Sequence, residues 1–321
     1  MAITSEQIKF YKPIYVNDSL TNGGRISTNL ITDGSLNNLF RNIQSSERES
    51  GIDLYRKCFI KNENPNDLAL LNPKIYIANV SSGEDYFQIA AGTDIDNQSS
   101  ADDIIDWYGS GYLNANFGPT ESSFDVLFKQ PTGLPSGCSV IVASGVQQSE
   151  VEIIGTPTWN GSIATCIISG ETGLTFLQNV SRVSAILPLS DIAPVLSNWS
   201  EISSAGTYDE TNYPVTLYNI GTITESWTLT FTNSTTFGVT GAVTGAIGTG
   251  VITSNFVPVN TTGYYFNLNK AGWAGSWVSG DVITFNTVHA AKSIWVKESV
   301  PAGAVSQANN LMTVNLIGES A

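Results

Sequence analysis

Charge is scarce in this sequence, and positive charge most of all. Charged residues make up 13% of the 321 residues, against about 25% in an ordinary soluble domain. Lys and Arg number 14 and Asp and Glu number 28, so the formal net charge is -14. Such a chain repels phosphate groups and anionic lipid headgroups. We therefore expect neither nucleic acid nor a membrane surface among its partners.

Histidine, on which many catalytic sites depend, is nearly absent. His289 is the only one, and it falls between two predicted strands, where no nucleophilic site is recognisable. The sequence has no GxSxG elbow, no phosphate-binding or dinucleotide-binding loop, and no CxxC pair. We expect neither an enzyme nor a zinc site. A glycan-cleaving enzyme with paired carboxylates stays open as an alternative that no sequence feature demands.

Cysteine is limited to Cys58, Cys138 and Cys166, an odd number with wide spacing. Two of the three lie in strand-like apolar runs, where a thiol behaves as a small hydrophobic group. We predict buried, reduced thiols here; a disulfide is the alternative.

Long apolar runs are missing as well. No stretch of 18 apolar residues occurs, and the first residues lack the apolar centre of an export signal. We expect synthesis in the cytoplasm without an export signal.

Ser, Thr, Asn and Gly are abundant instead, and they favour short strands joined by tight turns. Alternation with period two recurs along the chain, for example in YRKCFIKN (55–62), and Gly or Pro stands between many such runs. The sequence therefore predicts an all-β protein made of β-sandwich-like domains.

The strand pattern divides the chain into four segments. Residues 1–50 hold many turn signals and few apolar residues, which predicts an extended N-terminal arm. Residues 51–192 and 213–321 each show the strand spacing of a β-sandwich. Residues 193–212 lose the alternation and are predicted to be a linker. One helical turn, capped by Ser45 or Ser46, is predicted over 45–51.

An acidic turn interrupts the strands at residues 93–108. Asp94 and Asp96 have the spacing that opens a calcium loop with oxygen ligands, which makes them candidate metal ligands. The final ligand position of such a loop is Ile105, however, and its central glycine is missing. The other interpretation is a short helix capped by Ser100. We expect no cofactor, with calcium as the alternative.

Aromatic residues are concentrated in GYYFNLNKAGWAGSWVSGDVITFNT, residues 263–287. Three interpretations compete. The rings pack the core and loop between two strands, YYFNLN and VITF; or Tyr264, Tyr265, Trp273 and Trp277 form a platform that stacks a glycan; or they contact a neighbouring subunit.

Two passages carry a resemblance to a known class of protein. Residues 21–77 contain five short motifs in order: Ile31-Thr32-Asp33-Gly34, Asn37-Asn38-Leu39-Phe40, Glu47-Arg48, Tyr55-Arg56-Lys57 and Lys74-Ile75-Tyr76-Ile77. This passage resembles the N-terminal region of structural proteins of tailed bacteriophages. Residues 226–304 are similar to C-terminal modules of the same kind of protein. Together the two passages cover about half of the chain.

The resemblance implies a non-enzymatic virion protein that assembles in symmetric copies with other phage structural proteins. It implies no catalytic residues. We expect a homo-oligomer in which the N-terminal arm docks onto partner subunits, in the tail, baseplate or collar. The alternatives are a capsid decoration protein and a carbohydrate-binding module that recognises the host through the Trp273/Trp277 loop. Synthesis would take place in the host cytoplasm.

Overall fold

The computed structural model describes residues 2–308 and 310–321. Its helices are short: α1 spans Ser45–Ser50, α2 spans Gln98–Ala101, and 3₁₀ turns span Ser5–Gln7 and Lys270–Gly272. The strands, in chain order, are β1 (Ile8–Tyr15), β2 (Gly23–Leu30), β3 (Ile52–Asn62), β4 (Leu70–Ile77), β5 (Tyr86–Ala91), β6 (Tyr108–Leu113), β7 (Ser123–Leu127), β8 (Ser139–Ser144), β9 (Gln147–Ile153), β10 (Thr158–Asn160), β11 (Ile163–Ser169), β12 (Arg182–Pro188), β13 (Val195–Ile202), β14 (Ala205–Tyr208), β15 (Glu225–Phe231), β16 (Thr236–Gly241), β17 (Gly245–Val251), β18 (Trp273–Ser276), β19 (Val282–Val288), β20 (Ala291–Val300) and β21 (Val314–Ser320). The prediction of an all-β protein is confirmed.

The first unit is a pair of packed layers. One layer has the strand order β2-β1-β3-β20-β5, and the other is formed by β4 and β21 with the end of β12. Ile60, Ile89 and Ile294 from the first layer meet Ile75 and Ile77 from the second in one buried cluster. We call this unit the first sandwich.

The second unit is a closed barrel of six strands. Its order is β6-β7-β11-β9-β8-β12, and β12 pairs back onto β6 with Val183 opposite Gly111. Alternate residues point inward, as in the β11 pattern of buried Ala164, Cys166 and Ile168. Closure leaves none of these six strands with a free edge along its paired length.

The third unit, residues 195–288, has its own core. A five-stranded sheet with the order β13-β19-β15-β16-β17 is accompanied by the two-stranded ribbon β14–β18. Strand β15 alternates strictly, so Trp227, Leu229 and Phe231 are buried between exposed neighbours. We call this part the inserted unit, because the chain returns afterwards to the first sandwich.

That return is made by β20, which lies between β3 and β5, with Glu298 opposite both Leu54 and Phe87. Strand β21 then pairs with β4. Strands β20 and β21, which lie in the range assigned above to the C-terminal domain, therefore complete the first sandwich. Pairing between strands that are distant in the sequence decides which unit each strand belongs to. Period-two alternation does not reveal this pairing.

Two further expectations differ from the structure. An extended N-terminal arm is not confirmed, because β1 pairs with β3 over residues 8–11 and β2 continues the same sheet. The segment 193–212, predicted as a linker, contains β13 and β14, which pair with β19 and β18. Both segments alternate weakly because they lie at the outer parts of their sheets, where few positions are fully buried.

Local predictions met mixed outcomes. The helical turn at 45–51 is present as α1, although Gln44 precedes it as the capping residue. The short helix predicted to follow a Ser100 cap is displaced: α2 spans Gln98–Ala101, so Ser100 lies inside the helix and Asn97 is the capping residue. The strand predicted at YYFNLN, residues 264–269, is wrong: this segment makes isolated bridges only, such as the one between Asn267 and Thr216.

Candidate functional site

Asp94, the first candidate calcium ligand, lies beside the single histidine. His289 Nε2 is 3.2 Å from Asp94 Oδ1, and the Thr224 hydroxyl donates to Asp94 Oδ2 at 2.7 Å. Burial raises the pKa of Asp94, but the hydrogen bond and charge of His289, with the hydrogen bond of Thr224, outweigh it. The pKa of this carboxyl therefore lies below its usual range, and both of its oxygens already have partners.

Asp96, the second candidate ligand, is also occupied by protein groups. Its Oδ1 lies 2.5 Å from Nζ of Lys57, and its Oδ2 accepts a hydrogen bond from Trp295 Nε1 at 2.8 Å. Lys57 is wholly buried. Burial lowers the pKa of Lys57, and the hydrogen bond and charge of Asp96 act in the opposite direction. A cation at Asp96 would compete with this internal ammonium group.

The two aspartates thus point to different partners. Asp94 reaches the inserted unit and Asp96 reaches β3 and β20. Within residues 2–308 and 310–321, no group of three or more His, Cys, Asp or Glu side chains is arranged to hold a metal ion. Calcium at Asp94 and Asp96 has no support in this geometry.

The tryptophan loop is packed into the inserted unit. Trp277 is only 1% exposed, and it stacks on Phe231 with 4.2 Å between ring centroids and 7° between planes. Trp273 lies edge-on to Trp277 at 5.5 Å and to Tyr208 at 4.8 Å. The flat face of Trp277 is therefore covered by protein, as the core-packing interpretation requires.

The two tyrosines of the same stretch differ in exposure. Tyr265 is buried edge-on against Trp227, with 5.2 Å between the centroids. Tyr264 is 48% exposed and lies 5.4 Å from the ring of Tyr218. The structure thus does not assemble the four aromatic candidates on one surface. Tyr264 alone presents a large part of its ring to solvent.

An exposed apolar surface occurs instead at the N-terminal hairpin, residues 8–30. Ile14, Tyr15, Val16 and Leu20 each keep between 45% and 59% of their surface exposed. We call these four residues the hairpin surface. Three consecutive apolar residues, 14–16, interrupt the period-two pattern in the sequence, and this was the signal that could have found the surface.

The charge of the hairpin also differs from that of the chain. Residues 8–30 contain three basic residues (Lys9, Lys12 and Arg25) and one acid (Asp18), a local net charge of +2, while the whole chain carries -14. Strand β2 pairs only with β1 among the described strands, so it forms one end of the sheet. The hairpin therefore forms the end of its sheet and carries a local excess of basic residues, of which Arg25 donates to the Thr224 carbonyl.

The inserted unit rests on the first sandwich through a polar junction. The apolar cores of the two units are separate clusters. Loop 218–224 crosses the gap with hydrogen bonds of 2.7–2.9 Å that join side chains to backbone or carboxylate: Asn219 to Leu68, Lys61 to Ile220, Arg25 to Thr224, and Thr224 to Asp94. His289 lies where the chain returns from the inserted unit to β20.

The cysteines are free and buried, as predicted. Burial raises the pKa of each thiol to about 12, so none is poised as a nucleophile at neutral pH. Within the part of the chain that the structure describes, no helix is long and apolar enough to cross a membrane.

Comparison with known proteins gives only weak structural matches. No protein-family model and no curated protein matches the chain. Among solved structures, one match is the VP16-VP17 complex, a complex of the two major capsid proteins of bacteriophage P23-77. Its identity is 9%, with 78% of this chain and 89% of that chain covered, and the TM-score is 0.16. A second is VP17, a capsid protein of the same phage, at 10% identity, 78% and 87% coverage, and TM-score 0.16. Scores this low do not establish a shared fold.

Proposed function

We propose that this protein is a non-enzymatic structural component of a tailed bacteriophage particle, assembling in symmetric copies in the tail, baseplate or collar. The motifs in residues 21–77 and the passage 226–304, which resemble such proteins, support the proposal. An all-β, acidic chain suits a subunit displayed at high local concentration, because mutual repulsion keeps free subunits soluble.

The observation that carries the assembly part is the hairpin surface. Its exposed apolar side chains lie on a segment of charge +2, whereas the rest of the chain is strongly acidic. A second copy of the same chain supplies the acidic surface that complements it. Such a head-to-tail contact joins two different patches and builds rings when the rotation closes.

Host recognition is a second candidate function, and Tyr264 is the observation that favours it. Tyr264 is 48% exposed, its backbone bridges to that of exposed Val259, and the Tyr218 ring lies 5.4 Å away. An exposed ring of this kind can stack on a sugar. A capsid decoration protein is the alternative location within the same structural class.

The first experiment locates the protein. Immunogold electron microscopy on purified particles, with antibody against this chain, should place label at one fixed position. Label on the tail, baseplate or collar supports the proposal, and label over the head favours capsid decoration. Absence of label, together with absence of the chain from the mass-spectrometric inventory of the particles, would overturn the structural function.

A second experiment tests the hairpin surface. Because β1 is part of the sheet, deleting residues 1–50 would damage the fold. Substitutions of exposed side chains test the surface while leaving the sheet intact. The double variant Tyr15→Asp with Leu20→Asp should lose incorporation into particles at unchanged melting temperature. Val146→Asp, at a fully exposed turn of the barrel, is the matched control. Normal incorporation of the double variant would show that the hairpin surface is not needed for assembly. The proposal that the protein is part of a particle would still stand.

A further inference from the structure

A segment without regular structure crosses one face of the first sandwich. Residues 31–44 connect β2 to α1 and contain neither helix nor strand. Leu39 and Phe40 pack against the core of the sandwich, and the Phe40 ring lies 6.0 Å from the ring of Phe87. We call residues 31–44 the strap.

Glu298 lies on the face that the strap covers. Its partners across the sheet are Leu54 in β3 and Phe87 in β5. It shares a face with Val296, which belongs to the core beneath the strap. The side chain is only 7% exposed, and its Oε2 is buried without a hydrogen-bond partner among the described residues. This oxygen therefore makes no hydrogen bond that would hold the carboxyl group in place.

The cations near Glu298 are engaged elsewhere. Arg56, which stacks over Phe40 at 5.7 Å, donates to Asp18 at 2.5 Å and to the Leu39 carbonyl at 3.2 Å. Arg41 of the strap pairs with Asp18 at 2.6 Å and with Glu47 of α1 at 2.5 Å. The polar network that ties the strap down therefore runs through Arg56 and Arg41 and leaves Glu298 out.

The nearest acid on the β5 side is Asp85, whose carboxylate accepts hydrogen bonds from Ser81 and Asn310. Burial raises the pKa of Glu298 to about 8, and the negative charge of Asp85 adds to this, while Arg56 and Arg41 oppose it. Under the closed strap, Glu298 is therefore neutral at neutral pH.

We propose that Glu298 is a proton-controlled latch for the strap. While it carries its proton, the apolar face stays uncharged and Arg56 is free to hold Leu39 and Asp18. When the proton leaves to water, the new carboxylate competes for Arg56, and water must reach the buried charge. The strap then opens. This inference holds whether or not the protein is part of a particle.

The direction of the pH effect follows from where the proton is bound. The closed strap holds the proton up to about pH 8, whereas an exposed glutamate releases it near its ordinary pKa of 4.5. The closed form is therefore fully favoured below about pH 4.5 and loses stability as pH rises toward 8. Above that, the effect levels off.

Trypsin cleavage after Arg41 reports strap opening, because this bond lies in the strap and Arg41 is tied to Asp18 and Glu47. Cleavage is measured by mass spectrometry at several pH values, and each rate is divided by that of Glu298→Gln at the same pH. The ratio should rise about fiftyfold between pH 6 and 8 and then flatten. Gln has the shape of the protonated side chain and cannot ionise, so the variant should cleave slowly throughout.

Two more variants keep the test decisive if Glu298→Gln folds poorly. Asp85→Asn removes the negative neighbour and should move the midpoint of the wild-type cleavage profile to lower pH. Glu225→Gln changes another buried acid, in the inserted unit, and should leave the profile unchanged. A wild-type ratio that is flat from pH 6 to 9, or a midpoint that Asp85→Asn does not move, would overturn the latch.

Discussion

Lys57 Nζ lies 2.5 Å from Asp96 Oδ1, in a pair whose ammonium side is wholly buried. The contact ties the central strand β3 to the acidic turn. Lys57 also donates to the Gly24 carbonyl at 2.8 Å, so the same group reaches the N-terminal hairpin. Removing one partner of such a pair leaves a buried charge without compensation, which costs far more than the pair contributes.

Asp96→Ala should therefore lower the free energy of unfolding by about 3–5 kcal/mol, measured by urea unfolding at neutral pH. The control is the exposed pair of Lys74 and Glu150, 2.7 Å apart, with side chains 37% and 34% exposed. Lys74→Met should change stability by less than about 1 kcal/mol. Equal losses in the two variants would contradict the importance of burial for the Lys57 pair.

Glu225 is predicted to contribute to stability in a way that depends on pH. Burial raises its pKa, but hydrogen bonds from Thr244, Ser226 and Val243 outweigh this and bring the pKa below 4.5. The unfolded chain then takes up the proton first as pH falls. The stabilisation is present above about pH 4.5 and disappears as pH falls through the pKa of the folded state.

The test compares wild type with Glu225→Gln by urea unfolding between about pH 3 and 7. The wild type should be more stable at pH 7, and the gap should narrow in acid, because the variant has no proton to bind. Glu171→Gln, at an exposed glutamate, should follow the wild-type curve. A gap that stays constant down to pH 3 would show that the Glu225 carboxylate is not specially stabilised.

Trp277→Ala should destabilise the protein by about 3–5 kcal/mol, the cost of emptying a site filled by a large buried ring. Tyr264→Ala, at an exposed ring of the same stretch, should leave the melting temperature within a few degrees of wild type. Thermal unfolding followed by circular dichroism separates the two. Loss of glycan binding by Trp277→Ala without a fall in melting temperature would support the platform interpretation that burial argues against.

Replacing Asn219 should weaken the polar junction between the inserted unit and the first sandwich without unfolding either unit. Asn219 is fully buried and donates to Leu68 at 2.9 Å, while its backbone N–H donates to Asp67 at 2.8 Å. Asn219→Ala should weaken protection of loop 218–224 against hydrogen exchange by about 1–3 kcal/mol. Protection in the two cores should stay as in wild type, because the cores are separate.

Asn212→Ala is the control for this prediction, since Asn212 bonds to Asp209 within the inserted unit. Hydrogen exchange followed by mass spectrometry reads both variants peptide by peptide. A global loss of protection in Asn219→Ala would mean that the junction and the cores unfold as one.

Sequence patterns predicted the elements best where one face of a strand is buried. Along β7, β11 and β15, buried residues alternate with more exposed ones, and period-two alternation in the sequence predicts such strands. Strand β3 shows the period-two pattern in its sequence, although five consecutive residues of it are buried. Strand β13 was missed because it alternates between partial and full exposure. The stretch YYFNLN alternates well, yet it forms bridges only, since its neighbours in space are loops and not a continuous strand.

The candidate sites show the same limit of sequence patterns, which do not contain the partners that distant segments provide. That Trp277 is buried and Tyr264 exposed follows from a chain path that the aromatic content of the stretch does not specify. Asp94 and Asp96 stand two residues apart, as a calcium loop would have them, but they turn to partners about 195 and 40 residues away in the chain. No local pattern contains those partners.

The sequence by itself determined that the protein is all-β, acidic, and poor in the residues on which common catalytic sites depend, because composition and alternation are local properties. The tertiary structure decided that six strands close into a barrel and that β20 returns between β3 and β5. It also decided that Glu298 is buried under the strap and that Asp96 meets Lys57. These are outcomes of pairing between distant segments, in which register and burial together select the partner.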